Sequence, residues 1–174
     1  MLTANYIQTT CASTGGILKL WVALYTDVTG STAGTGLDIS AFTGTGSFFW
    51  KFEGFDIGEY VETKTEGRGK GSYTQTLTLT FSAIPKLLLD AVKDLTDECG
   101  LVLVWQDGDG NYWTIGYGIA GAAPNKPMAA AITNVVGTTP GAMTENQTEV
   151  VTFTAIAMEP KRKFSGNTAA APFN

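Results

Sequence analysis

One stretch of the chain, residues 73–81, alternates apolar and polar side chains with a period of two. One set of alternate positions is Tyr73, Gln75, Leu77, Leu79 and Phe81. The intervening set is Thr74, Thr76, Thr78 and Thr80. A period of two that places apolar residues opposite β-branched polar residues is typical of a half-buried strand. The pattern therefore predicts a strand whose threonines face water and whose leucines face a core.

The residues before this strand predict the other arm of a long hairpin. Residues 48–61 are rich in aromatic and β-branched side chains, and their apolar parity shifts near Gly54, which indicates a β-bulge or a bend. In the connection, residues 62–72, charged residues lie among glycines. Four of these charged residues are Lys64, Glu66, Arg68 and Lys70. Because such a loop cannot bury enough apolar surface to order itself, we expect a flexible tip that becomes ordered against a partner.

Shorter patterns predict further strands and loops. Strands are expected at residues 16–25, 37–42, 101–106, 111–119 and 148–158. The run Asp107-Gly108-Asp109-Gly110 is a strong turn signal that joins two of these strands into a second hairpin. Both faces of the first strand are apolar, so both should be covered. Apart from the short strand, residues 26–46 and 120–141 have the composition of loops.

Helical periodicity occurs in residues 82–100. The apolar stripe of this segment is formed by Ile84, Leu87, Leu88, Ala91, Val92 and Leu95. This spacing predicts an amphipathic helix that packs on one face of a sheet. Ser82 can cap its start, Pro85 is tolerated in its first turn, and Gly100 provides a stop.

A length of 174 residues suits a single domain, residues 1–174, with a substantial core. Small and polar residues at 1–15 predict an N-terminal arm, and residues 160–174 predict a C-terminal tail. The tail begins with a basic run to which no role is assigned, Lys161, Arg162 and Lys163.

The composition favours an all-β domain and limits the partners. The chain has 21 Gly, 6 Pro and abundant Thr, a mixture typical of strands and turns. A formal net charge of -5 and a pI near 4.6 argue against a general nucleic-acid binder, whose surface would be basic. No apolar run approaches the ~20 residues of a membrane span, and the N-terminus lacks a signal-peptide pattern. We therefore expect synthesis in the cytoplasm and no membrane partner.

The absence of histidine restricts the chemistry that the chain can perform. With 0 His, the Ser-His-Asp and Cys-His arrangements are excluded. The two cysteines, Cys11 and Cys99, have no metal-ligand spacing, and we expect buried thiols rather than a disulfide. We predict neither an enzymatic activity nor a cofactor.

One short motif imitates a calcium site. Asp107, Asp109 and Asn111 have the spacing that opens an EF-hand loop. However, Tyr112 stands where such a loop needs glycine, and Gly118 stands where it needs glutamate. A hairpin turn is the favoured interpretation.

Two further groups of residues allow a functional and a structural interpretation. Carboxylates along the first hairpin arm are Glu53, Asp56, Glu59 and Glu62. A glycosidase would use two such carboxylates as its catalytic pair, but the favoured interpretation is a strand surface that faces solvent or a channel. The aromatic residues Trp105, Tyr112 and Trp113 are a candidate sugar-stacking platform, although aromatic pairs in a core are commoner.

The order of these elements and several short phrases resemble a known family. The phrases are CASTGGILKLWVALYTDVT, GSYTQTLTLTF, PKLLLDAVKDL, LVLVWQDGDGNYWTIGYGIAG and EVVTFTAIAMEP. In this order they resemble the tail-tube proteins of tailed bacteriophages, which are related to the inner-tube proteins of contractile injection systems. The likeness covers most of residues 11–160 and is one of layout and short phrases.

This resemblance implies a mainly β subunit, a β-sandwich or barrel with one flanking α-helix, that forms hexameric rings. Rings would stack into a tube in the virion tail, through which DNA passes without specific binding. Other tail proteins, namely the terminator, baseplate and tape-measure proteins, would be partners. The expected ring-stacking residues are Lys64, Glu66, Arg68 and Lys70. The expected channel-facing residues are Thr74, Thr76, Thr78, Thr80, Glu53, Asp56 and Glu59.

Two alternatives stay open at the level of sequence. The first is another virion component, such as a tail terminator, a baseplate protein or a capsid decoration protein. The second is a monomeric carbohydrate-binding β-sandwich that uses Trp105, Tyr112 and Trp113.

Overall fold

The fold is described by a computed structural model. The described residues are 16–35, 38–46, 49–52, 54–66, 71–82, 86–96, 100–118, 128–138, 147–169 and 173. Several expectations fall outside these residues, namely those for the arm at 1–15, Cys11, Cys99, Glu53, Arg68 and Lys70.

The described residues form two sheets and one helix. The strands are β1 (Ile17–Leu24), β2 (Val28–Ala33), β3 (Ile39–Gly44), β4 (Trp50–Phe52), β5 (Ile57–Thr65), β6 (Ser72–Phe81), β7 (Leu101–Asp107), β8 (Tyr112–Ile115), β9 (Ala131–Thr138), β10 (Thr148–Ala157) and β11 (Arg162–Phe164), and the helix is α1 (Lys86–Thr96). Seven strands form a sheet in the order β2-β3-β11-β8-β7-β1-β4, and four form a sheet in the order β5-β6-β10-β9. The expectation of a mainly β sandwich with one flanking helix is confirmed.

A first core fills the space between the two sheets. Its buried residues include Leu20, Val22, Leu77, Leu79, Phe81, Leu103, Trp105, Val151 and Phe153. Strand β6 contributes every second residue to this core, as its period of two predicts. Val92 and Leu95 bring the stripe of α1 onto the same cluster. Removal of this apolar surface from water is the main force that holds the two sheets together.

A second core covers the other face of the seven-stranded sheet and consists largely of aromatic rings. Its buried members include Trp21, Phe42, Phe49, Tyr117, Phe164 and Phe173. The rings of Phe49 and Phe173 stack with centroids 4.4 Å apart, and those of Phe42 and Phe164 stack at 5.5 Å. Because Trp21 lies in this cluster while Leu20 lies in the first, both faces of β1 are covered, as predicted.

The expected C-terminal tail is largely part of the folded body, which corrects the sequence-based interpretation. Strand β11 pairs with β8 in antiparallel and with β3 in parallel orientation. Arg162 is buried and forms an ion pair with Glu159. Phe173 contributes its ring to the second core. A basic run followed by small residues resembles a tail in composition, but long-range strand pairing and ring packing hold it in place.

The first hairpin arm is not one strand, which corrects a second expectation. Strand β4 pairs with β1 in the seven-stranded sheet, whereas β5 pairs with β6 in the four-stranded sheet. Gly54 lies between them with a φ of 81°, a conformation that glycine adopts without strain. The predicted bend at Gly54 is therefore confirmed, and it marks the point where the chain changes sheet.

Three loop assignments also need correction. Strand β5 continues to Thr65, which pairs with Ser72, so the first four residues of the expected loop at 62–72 are strand. Within the expected loop at 26–46, β2 pairs with β3. Within the expected loop at 120–141, β9 pairs with β10. Both missed strands are sheet edges that bury few side chains, so their residues show no strong alternation.

The helix agrees with its predicted stripe where side chains are described. Val92 and Leu95 are buried, and Lys93 and Asp94 between them are exposed. In the part of the chain described above, no helix is long and apolar enough to cross a membrane.

Candidate functional site

The face of the four-stranded sheet that points away from the core is the main candidate surface. We call it the threonine face. Its residues are Ile57, Glu59, Val61, Thr63, Thr74, Thr76, Thr78, Thr80, Asn134, Val136, Val150, Thr152, Thr154 and Ile156. Directly opposite residues on antiparallel strands share one face, so the register places these side chains together. The alternation predicted for the four β6 threonines is confirmed, and their lining of a channel stays a prediction.

Hydroxyl groups occupy the middle of the threonine face. Thr78 lies opposite Thr152, and Thr76 lies opposite Thr154. The Oγ1 atoms of Thr133 and Thr154 are 2.9 Å apart, which extends the hydroxyl contacts to β9. Short β-branched hydroxyl side chains give this part of the sheet a flat and uncharged surface.

Exposed apolar side chains flank the threonines, a feature that the alternation of β6 did not predict. Ile57 is 63% exposed, and Val61, Val136 and Ile156 are also exposed. The sequence of β5 contains a pattern that could have indicated these exposed apolar residues. Ile57 and Val61 are each two positions from Glu59, so they face outward with it, whereas Tyr60 faces the core. The face is therefore more apolar than a purely solvated strand surface would be.

One of the carboxylates expected on this face can be placed there from the register of the strands. Among the described residues of the four strands, Glu59 is the charged residue with outward parity. Asp56 is an exposed residue of the bend that precedes β5, so the alternation of the strand does not fix the direction of its side chain. Its N–H donates to the Thr80 carbonyl oxygen at 2.8 Å. That Asp56 shares this face with Glu59 stays a prediction.

Glu62 departs from the expectation, because its carboxylate serves a structural contact. Its Oε2 accepts hydrogen bonds from Tyr60 Oη at 2.8 Å, from Gln75 Nε2 at 3.0 Å and from the Lys161 backbone N–H at 2.8 Å. Burial raises the pKa of the Tyr60 phenol, and the adjacent Glu62 carboxylate raises it further. The phenol therefore stays protonated and remains a donor to the carboxylate.

The basic run at the start of β11 has a defined place next to Glu62. Lys161 Nζ lies 4.7 Å from the Tyr60 ring centroid and 4.4 Å from that of Trp113. Tyr60 in turn packs on Trp105, with centroids 4.7 Å apart. Since Tyr60 belongs to the four-stranded sheet and both tryptophans to the other, these contacts join the two sheets at the base of the hairpin.

The hairpin tip carries exposed charges beyond this base. The ladder between β10 and β6 ends at Tyr73, so the pair of Thr65 with Ser72 extends past it. Lys64 Nζ lies 3.5 Å from Glu66 Oε1, and both side chains are largely exposed. Such a surface pair contributes little stability, so its charges are available to another molecule.

The aromatic residues considered for sugar binding do not form an exposed platform. Trp105 is 2% exposed and lies opposite Trp113 in the register of β7 and β8. Tyr112 belongs to the other face and packs against Trp21, with centroids 5.8 Å apart. Alternate parity and burial therefore contradict the platform on which the carbohydrate-binding alternative depended.

The acidic loop whose first residues have EF-hand spacing is a hairpin turn, which is the interpretation favoured from the sequence. The Asp107 carboxylate accepts hydrogen bonds from the N–H groups of Asp109 and Asn111 and from Trp113 Nε1 at 2.7 Å. These donors occupy the oxygen atoms that a cation would need. Within the described ranges, no group of three or more potential metal ligands lies together.

The two open edges of the four-stranded sheet complete the surface. Strands β5 and β9 form the edges, and neither has a second partner strand among the described residues. Each neighbouring pair in the order β5-β6-β10-β9 is antiparallel, so the two edges run in opposite directions. Residues 133–138 of β9 are all exposed. An unprotected edge of this kind is a template for pairing with another strand.

Comparison with protein-family models gives no match to this chain, and comparisons with curated proteins and with solved structures give none either.

Proposed function

We propose that this chain is a structural subunit that assembles with copies of itself into rings, which stack into a tube of the phage tail type. The observation that carries the proposal is the four-stranded sheet, which combines two open edges with an outward face of threonines and apolar residues, on which Glu59 is the charged residue among those described. The resemblance of the sequence to tail-tube proteins supports the same assignment. In this function the protein acts in the virion tail and has terminator, baseplate and tape-measure proteins as neighbours.

An even number of antiparallel strands favours ring formation. Suppose that neighbouring copies are related by rotation about an axis parallel to the strands, so that the β9 edge of one copy meets the β5 edge of the next. Because β5 and β9 run in opposite directions, the new strand pair between the copies is again antiparallel. Such a contact is heterologous, and repetition closes a ring when the rotation per copy divides a full turn. Closure would satisfy the backbone groups of both edges at once.

The side chains at the edges support the same contact. Ile57 and Val61 lie on β5, and Val136 lies on β9. A neighbouring strand at either edge would cover the flanks of these exposed apolar groups, which is favourable in proportion to the area removed from water.

The threonine face suits a channel wall for DNA. A wall that attracted phosphates would hold a polyanion that carries one charge per ~1.7 Å of axis. The threonines offer no cation, and Glu59 adds a weak negative potential that is screened beyond about 8 Å at physiological salt. In the proposed tube, DNA passes along this wall without being bound.

The test is self-assembly of the purified chain, measured by light scattering and negative-stain electron microscopy over a range of concentrations. Rings or tubes are expected for the wild type. Val136→Lys places a charge at the β9 edge and should leave single subunits, whereas Ala41→Lys, at an exposed position of β3, should assemble normally.

Two outcomes would contradict the proposal. One is a wild-type chain that stays monomeric at every concentration, together with virions in which an antibody against the chain does not label the tail. The other is equal assembly by both lysine variants. Antibody labelling of the capsid or of the tail tip alone would instead favour the other virion components.

A further inference from the structure

Directly opposite residues form straight rows across the four-stranded sheet. One such row consists of Ile57, Thr80, Val150 and Val136, which lie on β5, β6, β10 and β9 in turn. Where β9 of one copy pairs with β5 of the next, the row either continues straight or is displaced along the strands. The displacement is an even number of residues, because an odd one would turn the threonine face of the next copy away.

Closure of the sheet into a barrel determines the size of this displacement. Strands in barrels are tilted by about 35–45° from the axis, and this tilt arises from the accumulated displacement of the rows. Eight strands with a total displacement of eight residues have a tilt of about 36°. Each copy contributes four strands, so four residues per copy give the same tilt in a ring of any number of copies. Straight rows give no tilt, and two residues per copy give only about 20°.

The ends of the strands determine the direction of the displacement. Four residues in one direction would place Val136 opposite residue 53, which precedes β5, and most of β9 would have no partner. Four residues in the other direction place Val136 opposite Val61. Residues 59–64 of β5 then pair with residues 133–138 of β9, which are all exposed in the subunit.

Side chains on the threonine face agree with this register. Val61 and Val136 are 48% and 45% exposed, and here each covers the other. Glu59 lies opposite Thr138, whose hydroxyl group is a donor for the carboxylate. A displacement of two residues would place Glu59 opposite Val136 and set a charge against an apolar group. A displacement of six would place Val136 opposite Thr63 and separate the two valines.

We propose that Val61 of one copy lies directly opposite Val136 of the next, with a displacement of four residues per copy. This inference rests on the proposed function, since it assumes the pairing of β9 with β5, and it adds the register of that contact. Straight rows would surround the channel with a closed apolar belt that contains Ile57, Val150 and Val136. In the proposed register the rows instead wind along the channel as continuous spirals.

Disulfide cross-linking of cysteine variants tests the register. A chain with Val61→Cys and Val136→Cys, oxidised after assembly, should form a ladder of covalent multimers on non-reducing gels. Directly opposite Cα atoms lie within about 5.5 Å, which a disulfide spans, whereas in straight rows these two would be about 14 Å apart. Positions 61 and 136 lie on opposite edges of one subunit, so the bond joins two copies. Peptide mapping by mass spectrometry distinguishes it from bonds of the native Cys11 and Cys99.

The matched control is Ile57→Cys with Val136→Cys, which links only if the rows run straight and should lack this product. A link in the control instead of at position 61 would overturn the register and leave the paired edges intact. Should Val61→Cys with Val136→Cys fail to assemble, Thr63→Cys with Asn134→Cys samples the same register. Wild-type rings without a link from either of these two pairs would overturn the register alone, whereas a wild type without rings contradicts the proposed function itself.

Discussion

The backbone N–H of Lys161 donates to the Glu62 carboxylate at 2.8 Å, across 99 positions of sequence. The same oxygen atom accepts bonds from Tyr60 and Gln75, so one side chain joins β5, β6 and the segment that leads into β11. These bonds hold the base of the hairpin whose tip carries Lys64 and Glu66. The hairpin is thus attached to the C-terminal part of the chain by a residue that the sequence placed in a solvated loop.

Glu62→Ala should destabilise the subunit by about 2–3 kcal/mol, because three donors lose a partly buried acceptor. Urea unfolding followed by tryptophan fluorescence measures the change. Glu59→Ala removes a carboxylate from an exposed position of the same strand and should stay within about 0.5 kcal/mol of the wild type. Equal stability of the two variants would show that the Glu62 contacts contribute nothing.

Alkaline pH should weaken the fold through Tyr60. Burial and the Glu62 carboxylate raise its pKa above the ordinary value of 10.0. The unfolded chain then releases the phenolic proton at a lower pH than the folded chain, so stability is complete below pH 10 and falls above it. Tyr60→Phe should have a shallower decline in unfolding free energy between about pH 10 and 12. Parallel curves for both proteins would exclude this contribution.

Phe173→Ala should cost about 3–5 kcal/mol, since it removes a ring that packs on Phe49, Phe164 and Trp21. Thermal unfolding by near-UV circular dichroism reports on this aromatic cluster directly. Lys163→Ala, at an exposed position of β11, serves as the control and should melt like the wild type. An unchanged melting temperature for Phe173→Ala would mean that Phe173 is not part of the core.

Val92→Asp should prevent stable folding, because it buries an unpaired charge between α1 and the sheets. Lys93→Asp changes the next residue, which is exposed, and should give a soluble and cooperatively folding subunit. The comparison is made by solubility and by the cooperativity of thermal unfolding. Cooperative melting of Val92→Asp near the wild-type temperature would place the helix stripe elsewhere.

Thr76→Lys combined with Thr78→Lys should leave the subunit folded, since both side chains point away from the core. If the threonine face lines a channel, the added cations attract DNA phosphates and slow its ejection from particles. The delay should shrink as salt rises, because screening shortens from about 30 Å at 0.01 M to about 8 Å at 0.15 M ionic strength. Ejection at the wild-type rate at every salt concentration would show that this face does not line the path of DNA.

The sequence by itself determined the elements in which buried and exposed residues alternate with a regular period along the chain. The alternation of β6 identified Leu77 and Leu79 as core residues, and the helical spacing identified Val92 and Leu95. The Asp107 turn followed from short-range backbone preferences in the same way. In these cases the residues that decide the structure are neighbours in sequence, so the sequence alone contains the answer.

Only the tertiary structure decided which strands meet and which polar groups are enclosed. The bend at Gly54 was visible, but that β4 and β5 enter different sheets depends on pairing with β1 and β6. Lys161 and Phe173 looked like residues of a tail until the rings of Trp113 and Phe49 were placed beside them. The physical reason is that hydrogen bonds and ring contacts between distant segments depend on three-dimensional proximity, which leaves no periodic trace in either segment.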